Sequence, residues 1–211
     1  MAEKYIKPGF VFHIKDSYFD FAKDDKLMRN HEGGAHRPTY FCLENEKNGL
    51  LWVVPMSSQV EKYRKYVERD IEKFGKCSKI YLGEYAGKNS VFLLQNMFPI
   101  LPKYISHVHT IDNVPYPLDD VHKANVRRCF MEVTRLHKRG ANIVFPDIDR
   151  LEKLMLNELA QSQPQKLKPI PNSTAEKPSL LGKVADNKKK IDEEYQQCQH
   201  GTTKRKDDLN L

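Results

Sequence analysis

The chain has 211 residues, 39% hydrophobic and 30% charged, with a formal net charge of +7. That length allows one domain with its own core and some chain to spare, and the positive balance favours a polyanionic partner such as nucleic acid over an acidic ligand. Cys42, Cys77, Cys129 and Cys198 stand apart, with no CxxC and no neighbouring Cys/His set, which argues against a zinc site and against a disulfide framework. No apolar run reaches membrane-spanning length and MAEKYIKPGF lacks the apolar region of a signal peptide, so a cytoplasmic protein with reduced thiols, no membrane contact, no metal and no cofactor is expected.

In chain order, Phe10–Ile14 reads as a first strand behind Pro8-Gly9, and Asp16–Met28 as a short helix or irregular turn capped by Asp16. Residues 30–37, NHEGGAHR, read as a glycine-rich loop. In it His31 and His36 suit proton transfer near neutral pH, Arg37 suits bidentate phosphate contact, and Gly33-Gly34 permit close backbone approach. Thr39–Leu43 and Leu50–Val54 flank a turn rich in Asn and Gly and form a hairpin.

The run LLWVVPMSSQVEKYRK carries the strongest signal. Ser58 opens a helix that continues to about Phe74 with Val60, Tyr63, Val67, Ile71 and Phe74 on one stripe, and Gly75 ends it. Ser58 and Glu61 fit a capping box, a purely structural role. The same helix N-terminus offers N–H donors to a phosphate, with Ser57 and Ser58 hydroxyls beside it, Lys62 one turn in and Lys65 a turn later. Tyrosines interleaved with cations, Lys62-Tyr63-Arg64-Lys65-Tyr66 and the vicinity of Tyr40, suit stacking on unpaired bases, although Tyr63 and Tyr66 also fall on the apolar stripe.

Lys79–Tyr85 and Ser90–Leu94 form a second hairpin through Ala86-Gly87-Lys88-Asn89, and Ser106–Ile111 is a further strand. His107 and His109 share one strand face, but there is no second HxT element and no evident third ligand, so they read as a polar exposed face. Leu118–Arg139 is a helix stopped by Gly140, followed by a short strand at Asn142–Phe145 and a helix at Asp147–Leu159. From Gln161 the composition turns polar and basic, with nine of the ten tyrosines already passed. Residues 161–211 are expected to be a mostly disordered tail, with a transient helix within Leu180–Gln197, behind a folded domain of residues 1–160. Short antiparallel hairpins with interspersed helices predict an α+β fold built on a small, strongly bent sheet or barrel.

Four ordered features resemble the ToxN/AbiQ/CptN-like toxins of type III toxin–antitoxin systems over roughly residues 9–160. They are an opening strand followed by Ser17-Tyr18-Phe19, the His36-Arg37-Pro38-Thr39-Tyr40 entry to a strand, the apolar run with Pro55-Met56-Ser57-Ser58, and Leu94-Gln95-Asn96-Met97-Phe98-Pro99-Ile100. The resemblance implies a compact SH3-like, PemK/MazF-like barrel with added helices. It also implies an endoribonuclease that works without metal, leaves 2′,3′-cyclic phosphate and 5′-hydroxyl ends, and serves in phage defence. Its implied partners are a repeated RNA pseudoknot antitoxin, which it processes and which inhibits it within a cyclic protein–RNA assembly, and cellular or phage RNA substrates. The family's serine pair falls on Ser57 and Ser58, its tyrosine on Tyr18, and the basic residue before the proline on His36 or Arg37, so that His36 or Tyr18 is expected to handle proton transfer. Where the family often has lysine two residues after the second serine this chain has Val60, so the lysine role passes to Lys62, with Lys65 in reserve. The residues' own chemistry makes Arg37, His31, Tyr40, Arg64 and Lys65 the expected RNA-contacting set. A MazF-type interferase with a protein antitoxin and a non-catalytic RNA-binding module are the alternatives.

Overall fold

The structure is a computed structural model in which residues 6–32 and 35–162 are described; the predicted tail beyond Ser162 and Gly33-Gly34 lie outside them. The elements are β1 (Val11–Ile14), α1 (Asp16–Ala22), β2 (His31–Glu32), β3 (Ala35–His36), β4 (Thr39–Asn45), β5 (Leu50–Ser57), α2 (Val60–Phe74), β6 (Tyr81–Tyr85), β7 (Lys88–Phe92), β8 (Phe98–Ile100), β9 (Ile105–Val108), β10 (Thr110–Ile111), β11 (Val114–Pro115), α3 (Asp120–Lys138) and α4 (Ile148–Ser162). The fold is the expected α+β type, a bent antiparallel sheet of seven strands with added helices.

The apolar run Leu50–Ser57 explains the architecture. A strand with no polar alternation needs cover on both faces, and all eight residues of β5 are buried. One edge of β5 pairs with β4, from Thr39↔Pro55 to Asn45↔Leu50. Its other edge is shared: Leu51–Val53 pair with β8, whereas Met56 and Ser57 pair with Phe92 and Val91 of β7. Pro55 sits where that edge changes partner, the position in a central strand at which a missing N–H costs least, and its carbonyl still accepts from Leu93 N–H (3.0 Å).

The two faces of β5 enter two cores with the period of two that a strand dictates. Trp52, Val54 and Met56 pack with Tyr40, Phe92 and the α3 residues Val126, Phe130 and Val133. Leu51 and Val53 pack with Phe12, Ile14, Tyr18, Phe41 and the α4 residues Leu151 and Met155. A smaller cluster seats α2 on the β6–β7 hairpin through Tyr63, Ile80, Val91 and Leu93. That hairpin closes on Ala86-Gly87, both with positive φ (52° and 74°), the two-residue turn that matches strand twist. Cys42 and Cys129 are buried free thiols, as expected of core fillers. Among the described residues no helix is long and apolar enough to cross a membrane.

Several expectations need correction. Asp16 does not cap α1: Lys15 holds that position without a side-chain bond, because the Asp16 carboxylate is engaged by Asn30. The loop at residues 30–37 contains a small hairpin, β2–β3, in which His31 faces His36. Residues 142–145 are not a strand; Val144 fills the core and Phe145 N–H makes one bond to Gln95 O (2.8 Å) in place of a ladder. The α2 stripe is buried only in its first half, since Ile71 and Phe74 are exposed. The last helix, expected at Asp147–Leu159, spans Ile148–Ser162.

Pairing of β1 with β9 also builds a histidine cluster. His13 lies opposite His107 with stacked rings 4.6 Å apart, and its Nε2 is 2.9 Å from Nδ1 of His109. The face read as solvent-exposed is therefore partly closed by a third imidazole from the first strand. Burial, followed by the like charges of His107, His109 and His36, lowers the His13 pKa from 6.5 to about 4.

Two outcomes follow for stability. Tyr18 is fully buried, its ring stacked on Phe98 and its hydroxyl donating to Pro99 O (3.0 Å). Tyr18→Phe should therefore cost about 1–2 kcal/mol in chemical denaturation through the orphaned carbonyl, and Tyr18→Ala about 3–5 kcal/mol. For His13, the unfolded chain takes a proton near pH 6.5 that the folded chain resists until about pH 4. Stability contributed by the neutral imidazole is thus present above pH 6.5 and falls as pH drops through that window. Urea midpoints between pH 7 and 4 should decline less steeply in His13→Gln than in the parent.

Candidate functional site

The strand-to-helix passage at residues 57–60 is the structural origin of the site. Ser57 is the last residue of β5, locked opposite Val91 and only 8% exposed. Its Oγ accepts the N–H of Gln59 (3.2 Å), a short side-chain-to-backbone turn that bends the chain out of the sheet. Ser58 is exposed, and its carbonyl accepts Val60 N–H (2.9 Å). α2 then begins at Val60 with Gln59 at the N-cap and no side-chain capping bond. The predicted capping box of Ser58 and Glu61 is absent: the strand ends three residues later, at Ser57, and the helix opens two residues later, at Val60, than the sequence pattern implies.

Beside this turn lies a cavity of about 450 Å³ lined by Met28, Arg29, His31, Arg37, Ser57, Gln59, Lys62 and Tyr63. Three of these are permanent cations, and no Asp or Glu is among the described lining residues. Arg37 is buried and tethered, Nε donating to Arg29 O (3.1 Å) and Nη1 to Met56 O (3.1 Å). It thereby ties the segment before β2 to the end of β5. Lys62 stands in the first turn of α2, exposed, its Nζ 5.6 Å from the Tyr63 ring centroid. A recess with clustered cations, a hydroxyl and a helix N-terminus concentrates positive potential where an anion can enter.

The third component is imidazole. His31 lines the cavity, its Nε2 2.8 Å from Asp16 Oδ1, and its ring is 4.2 Å from that of His36. His36 lies behind it, Nδ1 3.2 Å from Asn30 Nδ2. The Asn30 amide, reinforced by His31, holds the Asp16 carboxyl below its ordinary range. Asp16, His31 and His36 place one ligand atom each within 4.8 Å of one another, a grouping that no local spacing in the sequence reveals.

The structure thus gathers Ser57, Lys62, Arg37 and His31 around one cavity, with Ser58 on the adjoining turn and His36 behind. It does not bring Tyr18 or Tyr40 there. Tyr18 is sealed in the core, and burial raises its pKa well above the usual phenol range, so its expected part in proton transfer at RNA is withdrawn. Tyr40 is 2% exposed, edge-on to Phe92, which leaves no face for a base to stack on. Arg64 and Lys65 are exposed on α2 away from the cavity lining, Arg64 3.5 Å from Glu61. Arg29, Asp16 and Asn30 were missed. Arg29 adjoins the histidine segment in sequence, a signal that was available. Asp16 meets Asn30 and His31 across 14 and 15 residues, contacts that exist only in the folded chain.

No family model matches the chain, and no curated protein matches it either. Among solved structures, 16 chains match significantly. One of them is AbiQ, a lactococcal anti-phage endoribonuclease belonging to the type-III toxin–antitoxin system, which aligns over 72% of this chain and 99% of its own, with a TM-score of 0.53 and 15% identity. What the likeness establishes is the architecture: the bent sheet and helices that position the cavity form a fold shared with AbiQ.

Proposed function

We propose that this chain is an endoribonuclease toxin of a type III toxin–antitoxin system, cleaving RNA by transesterification without a metal. The observation that carries the reading is the cavity in which Arg29, Arg37 and Lys62 surround the Ser57 hydroxyl at the mouth of α2, with His31 on its wall. The shared fold with an endoribonuclease of that class supports it.

In the proposed reaction a ribose 2′-oxygen attacks the adjacent phosphorus and the 5′-oxygen departs, giving a 2′,3′-cyclic phosphate and a 5′-hydroxyl. Ser57, Ser58 and the first amides of α2 hold the non-bridging oxygens, and Lys62 offsets the charge that grows on them. Arg37 fixes the phosphate's position. His31, the imidazole on the cavity wall, exchanges protons with the reacting oxygens, and His36 orients it. The natural partners are a repeated, structured RNA antitoxin, a pseudoknot that the enzyme trims and is inhibited by in a cyclic assembly, and cellular or phage RNA whose cleavage aborts infection. Exposed Arg64 and Lys65 extend the positive surface along α2 for the flanking backbone.

Full-length protein incubated with total RNA in EDTA should generate cyclic-phosphate ends. Lys62→Ala and Ser57→Ala should each lower the cleavage rate by about 10²-fold or more, the scale for removing one group that stabilises developing charge. Far-UV circular dichroism and RNA binding should be largely retained. Intact RNA after incubation with the parent protein would mean a binding module, and parent-like rates in both variants would remove the serine–lysine assignment.

A further inference from the structure

We propose that Asp16, His31 and His36, brought together by the α1 N-terminus and the β2–β3 hairpin, form a binding site for a divalent transition metal of the zinc class. In that hairpin His31 is directly opposite His36, so both imidazoles project to one side, with ring centroids 4.2 Å apart. The first turn of α1 adds a carboxylate, Asp16 Oδ1, 2.8 Å from His31 Nε2. The three ligand atoms lie within 4.8 Å of one another. A tetrahedral zinc site with bonds near 2.0–2.1 Å needs its ligands roughly 3.3 Å apart. Small side-chain rotations close that gap, and Asp16 and His31 are half-exposed and able to make them.

An ion pair between His31 and Asp16 does not account for the arrangement, because His36 turns its ring nitrogen to the same spot. Asn30 Nδ2 is near three acceptors: Asp16 Oδ1 at 2.7 Å, Ile14 O at 2.9 Å and His36 Nδ1 at 3.2 Å. A carboxamide has two N–H groups, and the two shorter contacts take both. The His36 nitrogen is left with the weakest share of a donor, in the company of a second imidazole and an anion. Asn30, anchored on the Ile14 carbonyl, meanwhile holds the carboxylate in place, the outer-sphere support that ligating groups require. Two imidazoles and one carboxylate select zinc, cobalt or nickel over calcium and magnesium, and three protein ligands leave a coordination position open.

The site has a consequence that rests on the proposed function. A metal there captures the imidazole lone pairs assigned to proton exchange, so it antagonises RNA cleavage and does not assist it.

Untagged full-length protein, stripped with EDTA and dialysed, is to be titrated with Co²⁺ by visible absorption and with Zn²⁺ against a chromophoric chelator, without RNA. One metal ion per chain is expected. His31→Ala, His36→Ala and Asp16→Asn should each weaken it by at least about tenfold, whereas His107→Ala should leave it unchanged. Circular dichroism confirms that each variant is folded, as expected for substitutions at this half-open surface. The absence of stoichiometric binding to the parent, or equal affinity in the His31 and His36 variants, overturns the site. Cleavage of RNA by the metal-free protein bears on the proposed function alone, and metal binding without RNA bears on this site alone.

Discussion

Everything at the candidate site hangs on the burial of β5 along its whole length and its pairing on both edges. A strand so confined cannot slip by one residue, because that would exchange the Trp52–Val54–Met56 face for the Leu51–Val53 face and empty both cores. The position of Ser57 is therefore set by apolar packing several residues upstream. Arg37 is set by the same strand, through its bond to the Met56 carbonyl. The hydrophobic effect, which has no direction of its own, acquires one here through the register of β5.

The elements with strong periodicity or clear turn chemistry were legible in the sequence: the two hairpins, the α2 and α3 helices and the apolar β5 run all stand close to where the pattern puts them. Two kinds of feature were not. Local competition decided the start of α2, where a Ser57 side-chain bond to Gln59 N–H displaces the capping box that Ser58 and Glu61 spell out. Long-range pairing decided the histidines. His13 meets His109 across 96 residues, and Asp16 meets His31 across 15, contacts that exist only once the sheet and hairpin are assembled. Tyr18 and Tyr40 illustrate a third limit. Whether a tyrosine beside a strand points into the core or out of it depends on the other layers that cover it, and both are buried here.

The site consequently joins two neighbourhoods of opposite electrostatic character. One wall of the cavity is cationic, supplied by Arg29, Arg37 and Lys62. Behind His31 lies the carboxylate of Asp16, kept ionised by the Asn30 amide. His31 stands at the boundary, in contact with the anion on one side and open to the cavity on the other.

The tethering of Arg37 has one further implication. Its guanidinium is held by the carbonyl of Arg29, in the segment before β2, and that of Met56 in β5, whereas Lys62 ends a flexible, exposed stem in the first turn of α2. A tethered cation offers a fixed point to an anion, whereas one on a long free stem adjusts to where the anion lies. On the proposed function, cations of this kind meet phosphates and carry no base information, so discrimination between RNA sequences would have to come from surfaces outside this cavity.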